Sequence, residues 1–286
     1  MRILLTGRNG QVGWELERRL AALGEVVATD RATLDLADWD SIARGVRDAR
    51  PDVIVNAAAY TAVDRAEDEP EAAARINGAA VQRLAEEARR AGALLVHYST
   101  DYVFDGTKTE PYFEDDAPNP LNVYGLTKLQ GEKAIAASGC RHLILRTSWV
   151  YSDRGRNFLA AILGRARRGE ALRVVDDQAG APTSAAAIAA ASVEVLKKGA
   201  AGLYHLSAAG RTTWHGFAEA ILREAGLAVS VARVSTEEYG AKARRPRNSV
   251  LDNSRLQRDC GVALADWRGE LASVMRKSAR SSYAYG

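Results

Sequence analysis

The sequence predicts an α/β protein built on a doubly wound parallel sheet. Short, nearly continuous apolar runs alternate with segments of helical periodicity along the chain. That alternation is typical of parallel strands buried between two layers of helices. A glycine-rich turn also follows the first apolar run, where a strand passes into a helix. Together these observations indicate one parallel sheet that is covered by helices on both faces.

Five strands are predicted from apolar runs bounded by polar or turn residues, and they span residues 2–6, 25–29, 52–56, 93–98 and 142–146. Apolar residues at helical spacing predict a helix after the first strand. Alanines and larger apolar residues at similar spacing predict a long helix over residues 70–90. Ligands of such sheets bind at the carboxyl ends of the strands, so the residues that follow each strand are candidate site residues.

Three glycines, Gly7, Gly10 and Gly13, form a G-x-x-G-x-x-G pattern between the first strand and the first helix. Glycine permits a tight turn and a close approach of backbone to phosphate, and a helix N-terminus offers free N–H groups to a pyrophosphate. Asp30 ends the second strand, where a carboxylate can bind the ribose 2′-hydroxyl of NAD. The pattern predicts a Rossmann-type nucleotide-binding unit, although glycines in a purely structural turn would serve packing alone.

The choice between NADH and NADPH stays open at this point. Asp30 favours NADH, but Arg31 is its neighbour and Arg8 lies inside the glycine turn. Either guanidinium could bind the 2′-phosphate of NADPH. Use of both cofactors is therefore an alternative.

Composition sets limits on the function. The chain has 286 residues, 47% of them hydrophobic and 26% charged, with a net charge of +3. That excess is too mild to indicate nucleic-acid binding. No apolar run is long enough to span a membrane and no secretory leader is recognisable, so we expect a cytoplasmic protein. The two cysteines and four histidines show no ligand spacing, so no metal site is predicted.

Tyr124 and Lys128 stand four residues apart, which places them on one face of a helix. A nearby ammonium lowers the pKa of a tyrosine from its usual value of about 10. Such a phenol becomes a usable general acid near neutral pH. Thr100, beyond the fourth strand, would bring a hydroxyl to the same oxygen. The spacing alone is also typical of a solvated helix face, so the preceding cofactor turn is what points to chemistry.

The glycine pattern and Tyr124-x-x-x-Lys128 together resemble the extended short-chain dehydrogenase/reductases. Longer runs, ordered along nearly the whole chain, are similar to the dTDP-4-dehydrorhamnose reductases within that family, and they span residues 10–16, 55–64, 98–106, 121–125, 145–151, 177–183, 203–206 and 245–249. The resemblance implies reduction of the C4 ketone of dTDP-4-dehydro-L-rhamnose to dTDP-L-rhamnose, the last step of dTDP-rhamnose biosynthesis.

The resemblance also implies a role for each matching residue. Tyr124 would donate the proton, Lys128 would lower its pKa and bind the nicotinamide ribose, and Thr100 would orient the keto oxygen. Residues expected along the cofactor are Gly7, Gly10, Gln11, Val12, Asp30, Asp35, Leu36, Ala59, Tyr60, Thr61, Tyr98, Tyr124 and Lys128. Residues expected at the sugar nucleotide are Thr100, Asp101, Tyr102, Trp149 and Arg245, with Arg247 and Asn248 as further candidates.

The expected organisation has a cofactor-binding Rossmann domain over residues 1–150 and a smaller, discontinuous sugar-nucleotide-binding part over residues 151–286. A return of the chain to the sheet is expected near residues 180–200. Some related enzymes form a dimer linked by Mg²⁺ through acidic residues on helices. Glu15 is present, but the helix after Thr183 has no carboxylate before Glu194, so no intrinsic metal is expected. A monomer and a homodimer both remain open.

Two rival functions remain. A nucleotide-sugar epimerase or dehydratase would keep the Tyr/Lys pair but would retain oxidised cofactor tightly through each turnover. A binding protein of the same fold, such as the regulatory subunit of methionine adenosyltransferase, would need no catalytic residues. The presence of Thr100, Tyr124 and Lys128 favours an enzyme.

Overall fold

The computed structural model of the protein describes the backbone of residues 1–283 and the side chains of residues 1–278. Its strands, in chain order, are β1 (Arg2–Thr6), β2 (Glu25–Thr29), β3 (Val53–Asn56), β4 (Leu94–Thr100), β5 (His142–Thr147), β6 (Val150–Tyr151), β7 (Leu172–Val175), β8 (Ala179–Gly180), β9 (Thr183–Ser184), β10 (Gly202–His205), β11 (Thr212–Thr213) and β12 (Val231–Val234).

The helices are α1 (Gln11–Leu20), α2 (Trp39–Ala49), α3 (Val63–Ala66), α4 (Pro70–Ala74), α5 (Ala80–Ala91), α6 (Val123–Ser138), α7 (Phe158–Arg167), α8 (Ala185–Lys197), α9 (Trp214–Glu224), α10 (Thr236–Tyr239), α11 (Ser254–Cys260) and α12 (Trp267–Tyr283). A π-helical turn, Arg75–Ala79, joins α4 to α5, and a 3₁₀ turn, Asp101–Val103, follows β4. Within residues 1–283, none of these helices is both long and apolar enough to cross a membrane.

The central sheet has six parallel strands in the order β10-β5-β4-β3-β1-β2. This confirms the predicted doubly wound sheet. The five predicted strands are all present, and their bounds agree to within about two residues. The sixth strand, β10, was not predicted, because its four residues carry too little apolar pattern to be distinguished from a loop.

Alternating residues of the strands supply two apolar cores, one on each face of the sheet. On one face, Ile3 and Leu5 pack with residues of α1 and α8, including Leu16 and Ile188. On the other face, Leu4 packs with residues of α2, α5 and α6. Helix α8 therefore returns to the sheet next to α1, and β10 then pairs with β5.

A third apolar core lies in the C-terminal part of the chain. It joins α7, α9 and α12 around Tyr151, Phe217 and Trp267, all at most 2% exposed. Next to it, β7 and β12 form a separate parallel pair. The division of the chain at residue 150 into two domains stays a prediction.

The glycine turn is a backbone-to-backbone contact. Gly7 has φ +77°, a left-handed conformation that favours glycine. A Cβ atom on Gly13, inside α1, would lie 2.0 Å from the carbonyl oxygen of Gly7. A Cβ atom on Gly7 would lie 2.8 Å from the backbone nitrogen of Ala58, after β3. The turn therefore packs between α1 and the segment after β3, at distances that leave no room for a side chain on Gly7 or Gly13.

Gly13→Ala should destabilise the fold, because the new methyl group meets a backbone carbonyl that cannot move aside. We expect a loss of about 1–3 kcal/mol in the free energy of unfolding, typical of overpacking. Gly269→Ala is the matched control, since Gly269 also lies in a helix but has open space around it. That variant should gain up to about 1 kcal/mol from helix propensity. Denaturant titration of both variants checks this; equal stabilities would contradict the close approach.

Candidate functional site

The candidate site lies at the carboxyl edge of the sheet, where the strand order reverses. The chain passes from β1 to β2 on one side and then to β3 on the other, which opens a crevice above β1 and β3. Helix α1 points its N-terminus into this crevice. Its N-cap is Gly10, which offers no side-chain cap, so the first N–H groups of α1 have no side-chain acceptor there. This arrangement suits a pyrophosphate.

Asp30 and Arg8, the residues expected to discriminate between the cofactors, are already hydrogen-bonded. Asp30 Oδ1 accepts from the backbone N–H groups of Ala32 and Thr33, at 3.0 and 3.2 Å, and Oδ2 accepts from Asn9 at 3.3 Å. The Thr33 backbone bond is the largest cause that holds the pKa of Asp30 below its usual value. Arg8 pairs with Glu17 at 2.7 Å. The choice of cofactor stays open.

The remaining cofactor candidates line the same edge. Gln11 Oε1 accepts hydrogen bonds from Ser152 and Asn157, each at 2.9 Å, so it ties a later loop to the start of α1. Asp35 lies in the turn before α2, where its Oδ1 accepts from Ala37 N–H. Leu36 is buried, Val12 is half-buried in α1, and Ala59 and Thr61 follow β3.

Asn77, which was not predicted, clamps the segment after β3. Its Oδ1 accepts from Tyr60 N–H at 2.9 Å, and its Nδ2 donates to the Tyr60 carbonyl at 3.0 Å and to Thr127 Oγ1 at 3.2 Å. Asn77 lies fully buried in the π-helical turn. The one feature of the sequence that could have indicated Asn77 is that its amide side chain stands within an alanine-rich predicted helix. Asn77 thus connects the predicted cofactor loop to the helix that carries Tyr124.

Tyr124 lies in the first turn of α6, which begins at an Asn122 cap whose Oδ1 accepts from Gly125 N–H at 2.8 Å. Thr100 ends β4, and its side chain acts on the Tyr124 hydroxyl to lower the pKa of Tyr124. Burial has the larger, opposite effect and raises the pKa of Tyr124 to about 12. Thr100 and Tyr124 are therefore brought together as predicted, but the phenol keeps its proton.

Lys128 does not lower the pKa of Tyr124 in this structure, contrary to the direction expected from the spacing. Its Nζ donates to the Tyr98 carbonyl at 2.6 Å and contacts His97 Nε2 at 3.1 Å. Burial lowers the pKa of Lys128 to about 8, against the opposing charge of Glu132. The physical reason is burial, which disfavours the charged form of both groups.

Asp101 is a buried carboxylic acid next to Thr100. The Thr100 hydroxyl donates to Asp101 Oδ1 at 3.0 Å. Burial raises the pKa of Asp101 to about 7, although the hydroxyls of Ser249 and Thr100 oppose the shift. Tyr102 lies beside it, with its ring edge-on to Tyr124 at a centroid distance of 6.0 Å.

Trp149 follows β5 with φ +45° and stacks on Trp214, with ring centroids 3.6 Å apart and an interplanar angle of 4°. The indole also lies on Gly180, where a Cβ atom would come within 2.4 Å of it. Trp149 is only 8% exposed. Trp214, which covers one face of the predicted sugar-binding indole, was not predicted.

Arg245 is held by a carboxylate. Its Nη1 and Nη2 donate to the two oxygens of Asp64, at 3.0 and 2.6 Å, and Nη1 also donates to the Ala243 carbonyl at 2.9 Å. The neighbouring Arg244 carbonyl accepts from Asn122 Nδ2 at 2.7 Å. The segment around Arg245 therefore crosses the start of α6.

Of the two further candidates, Asn248 has a structural role. Its Nδ2 donates to the carbonyls of Lys108 and Glu110, at 3.0 and 2.9 Å. For Arg247, the contact that the structure describes is its carbonyl, which accepts from Ala179 N–H at 2.8 Å. Among the residues whose side chains are described, no group of His, Cys, Asp and Glu has the geometry to bind a metal. The expected absence of a metal stays a prediction.

Comparison with known proteins places the chain among enzymes. A family model described as the RmlD substrate binding domain matches residues 1–280. A dTDP-4-dehydrorhamnose reductase of Burkholderia thailandensis is 50% identical over 293 residues, covering 96% of this chain and 98% of that protein. The enzyme of the same name from Escherichia coli K12 is 47% identical over 283 residues, covering 94% of this chain and 95% of that protein.

Among solved structures, the fold is similar to a dTDP-4-dehydrorhamnose reductase from Bacillus anthracis in complex with NADP. The TM-score is 0.94 at 34% identity, with 96% of this chain and 99% of the other covered. The resemblance that the motifs indicated is confirmed by these comparisons.

Asp101→Asn should change how stability depends on pH. The carboxyl has a pKa of 3.8 ordinarily and about 7 when folded, so the folded state binds the proton more tightly. The contribution of Asp101 to stability is then present at low pH and is lost as pH rises toward 7, by up to about 1.4 kcal/mol per pH unit.

Thermal unfolding of both proteins between pH 4 and pH 8 measures this. The difference between wild type and Asp101→Asn cancels other titrating groups, such as Glu270, whose pKa burial also raises to about 7. We expect the stability of wild type relative to Asp101→Asn to fall as pH rises. A difference that does not vary with pH would contradict the buried acid.

Proposed function

Because the chain belongs to the RmlD substrate binding domain family, that of the dTDP-4-dehydrorhamnose reductases, and is thus an oxidoreductase, we propose its reaction as follows. It reduces the C4 ketone of dTDP-4-dehydro-L-rhamnose to dTDP-L-rhamnose with NADPH or NADH. The observation that carries the proposal is the Thr100–Tyr124 pair at the carboxyl edge of the sheet, beside an uncapped helix N-terminus.

The residues of the glycine turn fit a dinucleotide. Gly7 and Gly13 leave no room for side chains, and the free N–H groups at the start of α1 would bind the pyrophosphate. Asp30 would take part at the adenosine ribose, with Asp35 and Leu36 toward the adenine. A nicotinamide cofactor bound in this crevice supplies the hydride. Residues of this chain then have to orient the ketone, deliver one proton and exclude water.

Tyr124 suits proton delivery because it keeps its proton. With its pKa raised to about 12, nearly every molecule carries the phenolic hydrogen at neutral pH. An alkoxide that forms at C4 is a stronger base than a phenolate, so transfer from Tyr124 to that oxygen is favourable. Thr100 would hold the ketone oxygen beside Tyr124. Once Lys128 carries a positive charge, it would stabilise the Tyr124 phenolate that the proton transfer leaves.

The sugar nucleotide would lie between the sheet edge and the C-terminal part. Asp101 and Tyr102 border the Thr100 hydroxyl. Trp149 would meet a deoxyhexose with the small exposed part of its indole, unless Trp214 moves off the ring face that it covers. Arg245 would approach the diphosphate only by sharing or leaving Asp64, which now occupies both arms of its guanidinium. A guanidinium fork suits phosphate oxygens as well as a carboxylate.

The reaction is tested by following the absorbance of NADPH and NADH separately with dTDP-4-dehydro-L-rhamnose. We expect stoichiometric oxidation of at least one cofactor, with the same rate in the presence of Mg²⁺ and of a chelator. Protein purified with tightly held oxidised cofactor, and no net oxidation, would instead indicate an epimerase or dehydratase. No turnover with either cofactor would remove the reductase.

Tyr124→Phe should lower kcat by about a hundredfold to ten-thousandfold, the usual contribution of a positioned acid. Cofactor binding, measured by quenching of tryptophan fluorescence, should stay within a few-fold of wild type. Tyr112→Phe is the matched control, because Tyr112 is also buried but donates its hydroxyl hydrogen to Asp105, outside the site. Full activity in Tyr124→Phe would rule out the phenol as the acid.

A further inference from the structure

Beneath the site, four buried side chains form one hydrogen-bonded chain. Thr6 Oγ1 lies 2.7 Å from Asn56 Oδ1, Asn56 Nδ2 lies 3.1 Å from His97 Nδ1, and His97 Nε2 lies 3.1 Å from Lys128 Nζ. All four residues are at most 2% exposed. The chain spans β1, β3, β4 and α6. Each link must therefore have one donor and one acceptor, without water to correct a mismatch.

The direction of the chain is set by a backbone amide. Ala58 N–H donates to Asn56 Oδ1 at 3.3 Å, and a backbone amide can only donate. The oxygen of Asn56 must therefore face Ala58 and Thr6, and its NH₂ group faces His97. His97 Nδ1 then has to accept, so it carries no hydrogen.

His97 is neutral, because it is fully buried and burial disfavours its charged form. A neutral imidazole carries one N–H, which here must be on Nε2 and point at Lys128. An ammonium has no lone pair to receive that hydrogen, whereas an amine does. We propose that this chain stabilises Lys128 as the neutral amine in the cofactor-free protein, and that His97 is the positioning residue that imposes this state.

Among the charged groups around Lys128, Glu132 opposes this assignment, because its carboxylate raises the pKa of Lys128. Glu132, one turn further along α6, is the carboxylate that acts on Lys128, and it is paired with Arg146 of β5 at 2.6 Å. Tyr124, one turn before Lys128 on α6, is neutral. On the β4 side, the Tyr98 carbonyl accepts one amine hydrogen at 2.6 Å. Burial acts in the same direction as the chain and lowers the pKa of Lys128 to about 8, which by itself leaves the ammonium as the main form at neutral pH.

The protonation state stands on its own, and only its catalytic consequence rests on the proposed function. An amine at position 128 cannot stabilise the phenolate of Tyr124. The site would acquire that positive charge only when Lys128 takes up a proton, which the negative charge of a bound cofactor or sugar nucleotide favours. His97 would then couple the binding of cofactor or sugar nucleotide to the protonation of Lys128, and thereby to proton donation by Tyr124.

Two measurements on the cofactor-free protein test the proposal. Long-range ¹H–¹⁵N spectra of the imidazole distinguish a protonated ring nitrogen from a bare one, and we expect the hydrogen of His97 on Nε2. A titration of ¹³Cε-labelled lysine, assigned with Lys128→Met, should give Lys128 a pKa of about 7 or below instead of the usual value of about 10.4, because only then is the amine the main form at neutral pH. A hydrogen on Nδ1, or a Lys128 pKa of about 8 or above, would overturn the proposal.

His97→Gln should raise the pKa of Lys128 by one unit or more, because the amide can turn its oxygen toward an ammonium. Thr6→Val is the matched control. It removes a side-chain donor to Asn56 but leaves Ala58 N–H in place, so the pKa of Lys128 should not move. Equal pKa values in wild type and His97→Gln would show that His97 does not impose the state.

Asn56→Asp covers the case in which His97→Gln does not fold. A carboxylate at position 56 can only accept, so His97 Nδ1 should gain a hydrogen; an Nδ1 that still carries no hydrogen would contradict the argument. None of these measurements uses cofactor or substrate. A failed reductase assay therefore leaves them intact, and their failure leaves the reductase assay intact.

Discussion

The site depends on how α6 is fixed against the sheet through buried polar groups. Lys128 is bound to the Tyr98 carbonyl, and one turn later Glu132 accepts from Arg146 Nε and Nη2 at 2.9 and 2.6 Å. These bonds fix both the rotation and the height of α6 on β4 and β5. Tyr124 lies one turn before Lys128 on the same helix, so these bonds also help to place its hydroxyl near Thr100. A buried charge pair of this kind is weak evidence for stability, and here it joins α6 directly to β5.

Much of the sheet could be predicted, since its information is local. Residues 2–6 and 25–29 are apolar runs that became β1 and β2 with the same bounds, and Gly7, Gly10 and Gly13 lie in the turn and helix that their spacing indicated. A helix begins at Pro70 as predicted, but residues 70–90 do not form one continuous α-helix, because a π-helical turn separates α4 from α5. The π-helical turn there depends on Asn77, whose partners are distant in the sequence.

The sequence predicted which residues lie at the site better than it predicted their protonation. The residue types at positions 100, 124 and 128 indicated an acid and its neighbours, yet the direction of the Tyr124 pKa was wrong. A pKa depends on how many atoms separate the group from water, and a sequence carries that information only through its fold. Likewise, nothing local to Arg245 indicates that Asp64 binds its guanidinium, because the two residues are 181 positions apart.

Strand β10 lies far along the chain from β5, its partner in the sheet, and this affects folding during synthesis. Until Gly202–His205 is synthesised, β5 is an edge strand whose backbone groups lack their partners on one side, and α8 has not yet covered the apolar face beside α1. A nascent chain that ends near residue 150 thus exposes an unpaired, largely apolar edge, the kind that templates aggregation. We expect such a chain to be prone to aggregation until β10 pairs with β5.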